Sequence, residues 1–242
     1  MTATALGAND AAARLRAVQA AVAAACAKAR RDAAEVTLVA VSKTFDAEAV
    51  APVLTAGQRV FGENRVQEFG GKAGAMADLA EAEWHMIGHL QTNKAAKAAE
   101  LFRAVDSVDS VKLAAKLDAA AQASGKRLTV LIEVNVGGEE AKSGVALDSP
   151  ELEQLLIAAS GLQGLEFRGL MTVPPFTEDP EGARAYFRRL RNLRDGLAGR
   201  KLPEVGMDVL SMGMSHDFEV AIEEGSTCVR VGTAIFGERQ KR

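Results

Sequence analysis

Strand-like apolar runs alternate with helical stretches along nearly the whole chain, and few folds satisfy that pattern. The runs fall at Val36–Val41, Arg59–Gly62, Trp84–Ile87, Leu101–Val105, Leu128–Val134, Leu165–Leu170, Met207–Leu210 and Thr227–Val231. Alanine-, leucine- and charge-rich segments such as Val111–Ala123, Pro150–Ser160 and Glu181–Leu197 separate them. Gly57, Gly125 and Gly225 stand just before strands, where a helix C-cap is expected. Strands joined through helices run parallel, because each crossover returns the chain to the same end of the sheet. Eight such runs are the number that closes a (β/α)8 TIM barrel. No Gly/Ser/Pro linker divides the 242 residues, so residues 1–242 are expected to form one domain with an N-terminal helix.

Composition narrows the function. A net charge of −3 provides no basic field for nucleic acid or an anionic membrane, and 5% aromatics argues against base stacking. Near the N-terminus the uncharged run Ala17–Ala27 is shorter than the ~20 residues that span a bilayer, and charges flank it. Leu15, Val18, Val22 and Cys26 recur at helical spacing, which reads as an amphipathic helix rather than a leader. The two cysteines, Cys26 and Cys228, have no metal-ligand spacing and suit a reducing cytoplasm. No histidine pair with a carboxylate has such spacing either, so no metal is expected.

In a closed parallel barrel the active face lies at the C-terminal strand ends. There the chain places Ser42-Lys43-Thr44, Glu63-Asn64-Arg65, Gly88-His89, Glu133-Val134-Asn135, Met171-Thr172, Ser211-Met212-Gly213-Met214-Ser215 and Gly232-Thr233. Lys43 shares strand parity with Val39 and Val41. It is either a lysine snorkelling to solvent or an amine whose ammonium form an apolar wall disfavours, leaving a nucleophile for Schiff-base chemistry. The loops expected after strands seven and eight form the phosphate corner of such barrels, where glycine lets the backbone approach an anion. A phosphate corner opposite a buried lysine describes a pocket for a phosphorylated aldehyde. Arg230, inside the run Cys228–Val231, is costly unless a carboxylate or a ligand meets it. The basic segment Arg184, Arg188, Arg189, Arg191 and Arg194 reads as a solvated helix face.

The segments LVAVSKTF, FGENRVQE, WHMIGHLQTNK, SVDSVKLA, IEVNVGGEEAKSG, RGLMTVPP and LSMGMSHDFEVAIEEGSTCVRVGTAIFGER run from Leu38 to Arg239. Together they resemble the pyridoxal phosphate homeostasis proteins (the YggS/PROSC family). The resemblance implies a fold-type III barrel like the N-terminal domain of alanine racemase, with pyridoxal 5'-phosphate as cofactor. Carried over by position, Lys43 matches the lysine that holds the cofactor as an internal aldimine. Asn64 matches a residue lining the pocket, and Ser211, Met212, Gly232 and Thr233 match the phosphate-cradling positions. Arg230 matches the arginine near the pyridine nitrogen, and Lys142 resembles a loop lysine of cofactor hand-off.

Two functions remain open on this resemblance, and a phosphosugar enzyme using Lys43 as an aldolase-type amine is a third, weaker reading. One is a carrier that holds the cofactor and delivers it to apo-enzymes, a cytoplasmic protein expected to be monomeric. The other is an amino-acid racemase, which needs a second acid–base group opposite the lysine. The sole tyrosine, Tyr186, falls in an expected outer helix, and an arginine at the ring nitrogen weakens the electron sink. Both features favour the carrier.

Overall fold

The apolar runs pair as the alternation requires. The computed structural model describes residues 3–73, 81–139, 142–200 and 202–238; Glu140, Ala141 and Arg239 of the quoted motifs lie outside them. Its strands are β1 (Thr37–Val41), β2 (Val60–Glu63), β3 (Glu83–Met86), β4 (Ala104–Val108), β5 (Leu128–Asn135), β6 (Val145–Ala146), β7 (Leu165–Met171), β8 (Val205–Met214) and β9 (Cys228–Val231). The order β4-β3-β2-β1-β9-β8-β7-β5 returns to β4 through a β4–β5 pairing, so eight strands close a barrel. Every pairing is parallel. The two-residue β6, absent from the sequence reading, pairs with β5 at Val134 and Asn135.

Helices α2 (Ala47–Thr55), α3 (Val66–Ala73), α4 (Ala95–Leu101), α5 (Val111–Ala123), α6 (Pro150–Ala159), α7 (Arg184–Gly199) and α8 (Phe218–Glu223) form the crossovers. Local chemistry fixes their starts: the side chains of Asp46, Ser110 and Ser149 each accept a bond from an otherwise unpaired first-turn amide. Among the described residues after β9 the one helix is the four-residue α9 (Thr233–Phe236). The 26-residue α1 (Ala3–Lys28) packs against α2, α8 and α9, filling the place of an eighth crossover helix. Leu15 and Cys26 are fully buried there, as helical spacing predicts. Arg14 Nε donates to the Ile235 carbonyl at 2.7 Å, and Arg31 donates to those of Ile222 (2.9 Å) and Ser226 (2.7 Å).

Strand alternation sorts two interiors. Ala40, Phe61, Val105, Val130 and Val229 join the core shared with the helices, where Trp84 stacks on Phe61 at 5.0 Å and meets Phe69 of α3 at 4.6 Å. The opposite parity faces the barrel axis and is partly polar: Val39, Val41, Asp106, Glu133 and Arg230. At Gly169, a Cβ would sit 1.8 Å from the Val209 carbonyl oxygen, so only glycine lets β7 and β8 approach this closely.

Three sequence expectations need correction. The run Leu101–Val105 straddles two elements: Leu101 ends α4, the Phe102 amide closes that helix on Ala98, and β4 starts at Ala104. The segment Ser211–Ser215 is not a loop throughout, since β8 continues to Met214, with Ser211 in register with Met171 and Cys228. The basic face of α7 is not simply solvated. Arg184, Arg188 and Arg191 converge on the buried Glu224 at 3.1, 2.8 and 2.9 Å.

Candidate functional site

A cavity of about 880 Å³ opens at the C-terminal ends of the barrel strands. Of the residues singled out from sequence, Lys43, Asn64, Lys142, Arg230, Gly232 and Thr233 line it, whereas Ser211 and Met212 do not.

Lys43 stands on a braced turn. β1 stops at Val41; the Ser42 amide bonds the Gly62 carbonyl at 3.0 Å and the Phe45 amide closes back on Ser42 at 3.1 Å. Between them Thr44 holds φ +70°, a conformation that a β-branched residue adopts only under constraint. The constraint comes from α3, whose Lys72 Nζ donates to the carbonyls of Ser42 (3.0 Å) and Phe45 (2.8 Å). The same ammonium pairs with Glu63 Oε1 at 2.5 Å, which also accepts from Ser42 Oγ at 2.7 Å. Glu63 is fully buried, and its Oε2 has no partner among the described residues. Burial pushes its carboxyl pKa up, against the pull of Lys72 and Ser42.

Arg230 is 3% exposed and donates to Ser211 Oγ and the Thr172 carbonyl, both at 2.7 Å. Both acceptors are neutral, so these bonds orient the guanidinium without cancelling its charge. Burial pulls its proton affinity down, while Cys228, Asp106, Glu133 and Asp217 oppose. With two of five N–H donors so engaged, it keeps donors for a cavity ligand.

Ser215 joins the ends of β8 and β9, because its Oγ accepts from the Gly232 amide at 3.1 Å and the Ala234 amide at 3.4 Å. Met214 and Ser215 reach the cavity, and Ser211 and Met212 sit deeper: Ser211 holds Arg230, and Met212 is fully buried in the core. The longer β8 causes this shift of three residues. At Gly88 a Cβ would lie 2.5 Å from the Asn64 carbonyl oxygen, so a bare glycine sets how closely the ends of β2 and β3 meet.

Glu133, at the end of β5, also lines the cavity. Its Oε1 accepts from Ser143 Oγ at 2.8 Å. Lys142 lies beside it on a loop pinned by Asn135, whose Nδ2 donates to the Glu139 carbonyl at 2.8 Å, and pairs with Glu139 Oε2 at 2.6 Å. On the rim His89 meets Asp109 at 3.4 Å, and the His216 ring lies tilted beside that of Phe176, with centres 5.5 Å apart. Glu63 and Glu133 were visible in the strand-end motifs, but nothing in the sequence tied Glu63 to Lys72 nine positions on, or Glu133 to Ser143.

Residues 15–240 match the profile of the family "Alanine racemase, N-terminal domain". The "Pyridoxal phosphate homeostasis protein" of Aquifex aeolicus is 46% identical over 216 residues, covering 89% of this chain and 92% of that protein. The protein of that name from Escherichia coli is 42% identical over 233 residues, covering 96% and 97%. Among solved structures, PipY of Synechococcus elongatus with PLP bound superposes with a TM-score of 0.78 at 37% identity, covering 89% of this chain and all of that one.

Proposed function

The chain belongs to the pyridoxal phosphate homeostasis protein family, and on that premise we propose that it holds pyridoxal 5'-phosphate covalently on Lys43 and passes it to apo-enzymes. The observation that carries this reading is one cavity shared by a strand-end lysine and a buried arginine whose hydrogen bonds, among the described residues, go to the neutral Ser211 hydroxyl and Thr172 carbonyl. The donor set fits the group. A phosphate suits the corner where Ser215, Gly232 and Thr233 meet, and the ring nitrogen offers Arg230 the acceptor it lacks.

When bound, the cofactor supplies an aldehyde carbon that a primary amine can capture. The chain's own residues do the rest. Lys43 would provide the amine, at a cavity wall that includes Val41 and Ile87. The Lys72–Glu63 brace fixes the turn from which it projects. Arg230, always protonated, would donate to the ring nitrogen and keep a proton off it, which would weaken the ring as an electron sink. Tyr186, the only tyrosine, lies on the outer helix α7 against Arg189 and does not line the cavity.

These features support a carrier without turnover, over a racemase-like enzyme that would need a second proton-transfer group. We further read residues 1–242 as one domain, supported by the bonds from α1 and its following turn to the α8–α9 region, and the protein as a cytoplasmic monomer. Among the described residues no helix is long and apolar enough to cross a membrane. The test is the absorption spectrum of the loaded protein, then borohydride reduction and peptide mapping. A reduced pyridoxyl group on Lys43 is the expected result, and its absence from that peptide refutes the reading. Robust racemisation of any amino acid would overturn the carrier role.

A further inference from the structure

We propose that Glu133 accepts the proton of an incoming primary amine at this cavity, so that a free amine can lift the cofactor off Lys43. The inference rests on the reading of Lys43 given above. Glu133 is 6% exposed, shares the cavity with Lys43, and spends Oε1 on Ser143 while Oε2 has no partner among the described residues. A carboxyl with unmet acceptor capacity in a cavity wall is a receptor for an N–H donor. There is room for one: the volume stands near the top of the ~300–1,000 Å³ range of drug-sized pockets, and a one-ring cofactor leaves part of it open.

The surrounding charges leave this carboxyl poised. Burial raises its proton affinity and Asp109 adds to it, while Ser143, Arg230 and His89 pull it down. Lys142, the neighbouring cation on the wall, is held by Glu139. A primary amine reaches the cavity as an ammonium ion and is not yet a nucleophile. Glu133 takes a proton from it, and the freed lone pair attacks the cofactor carbon bonded to Lys43. The new nitrogen then forms the carbon–nitrogen double bond that Lys43 gives up. Its protons finish on the Lys43 nitrogen, the first of them by way of Glu133, and Lys43 leaves as an ammonium. Nothing is oxidised or reduced.

The test compares the loaded protein with its Glu133→Gln and Ser143→Ala variants, after borohydride trapping has shown the cofactor on Lys43 in each. Release is followed with propylamine, which must lose a proton to react, and with methoxyamine, which is already a free base at neutral pH. Glu133→Gln should slow release by propylamine about 100-fold, within the range of general acid–base catalysis, and release by methoxyamine less than about two-fold. Ser143→Ala removes a bond that favours the carboxylate, so the propylamine pH profile should move to higher pH. Equal propylamine rates, or equal slowing with both reagents, would overturn the proposal. If the Gln variant does not load, the Ser143→Ala profile decides: an upward shift supports the proposal and an unmoved profile refutes it. Failure to trap cofactor on Lys43 in the unmodified protein refutes the underlying function instead.

Discussion

Lys72→Ala would remove three contacts at once: the pair with Glu63 and the bonds to the Ser42 and Phe45 carbonyls. The cost is dominated by Glu63, which has no solvent exposure and whose Oε2 is already unpartnered. Breaking a buried pair by removing one member costs about 3–5 kcal/mol. Because the Lys72 side chain is 12% exposed, water can enter where it stood, and the lower end, roughly 3 kcal/mol, applies. For a chain of this size that lowers Tm by about 6–12 °C. The loss also has a sign in pH. Burial already raises the Glu63 carboxyl, with Lys72 and Ser42 opposing, and without Lys72 it rises further. A carboxyl raised in the folded state contributes stability that is full below its unfolded pKa and is lost as pH rises through the folded value. The deficit of the variant is therefore smaller near about pH 5 than near about pH 8. Urea unfolding followed by circular dichroism at both values measures it. A deficit below about 1 kcal/mol at the higher pH, or one equal at both, refutes the assignment of the brace.

Glu224→Gln should cost about 2 kcal/mol at neutral pH, with the opposite pH sign. Burial raises the Glu224 carboxyl but the bonds from Arg188 and Arg184 and the charge of Arg191 outweigh it, so its pKa is lowered. Its stabilisation is present above the unfolded pKa and fades as pH falls through the folded one, so the two urea curves should converge in acid; a gap that persists there counts against the network. Ser211→Ala leaves a donor of the buried Arg230 unmet and should cost about 1–3 kcal/mol, read as a drop in Tm; no drop would mean that water replaces the hydroxyl. Burial pushes the Cys228 thiol up to about 12 and raises that of Cys26 as well. Iodoacetamide should label neither in the native protein and both in guanidinium, and fast native labelling would contradict their burial.

What was legible in the sequence was local. Parity along Val39, Val41 and Lys43 placed the lysine on the cavity, and the helical segments read from Val111 and Pro150 begin where the structure starts α5 and α6. What was not legible depends on barrel closure. Ser211-Met-Gly-Met-Ser215 looks like a turn because glycine and serine favour turns, but β7 and β9 flank it and draw it into the sheet as far as Met214, which carries Ser211 and Met212 below the cavity. Glu63 stands among the strand-end residues of the sequence, and nothing local links it to Lys72. Only the packing of α3 over β1 and β2 buries them together. Likewise the arginines of α7 read as a wet face until α8 presents Glu224 to them.

The seam between β1 and β9 sets the order of events as the chain leaves the ribosome. Thr37 pairs with Cys228, and α1 buries Leu15 and Cys26 against helices formed by residues around 218–236. Until β9 emerges, a nascent chain carries two bare strand edges, β1 and β8, and an apolar helix with no place to dock. Most of the sheet can assemble strand by strand, but its last and longest-range contact must wait for nearly the whole chain. In that interval both strand edges and the apolar face of α1 stand open, which is when the unfinished barrel is most prone to aggregate.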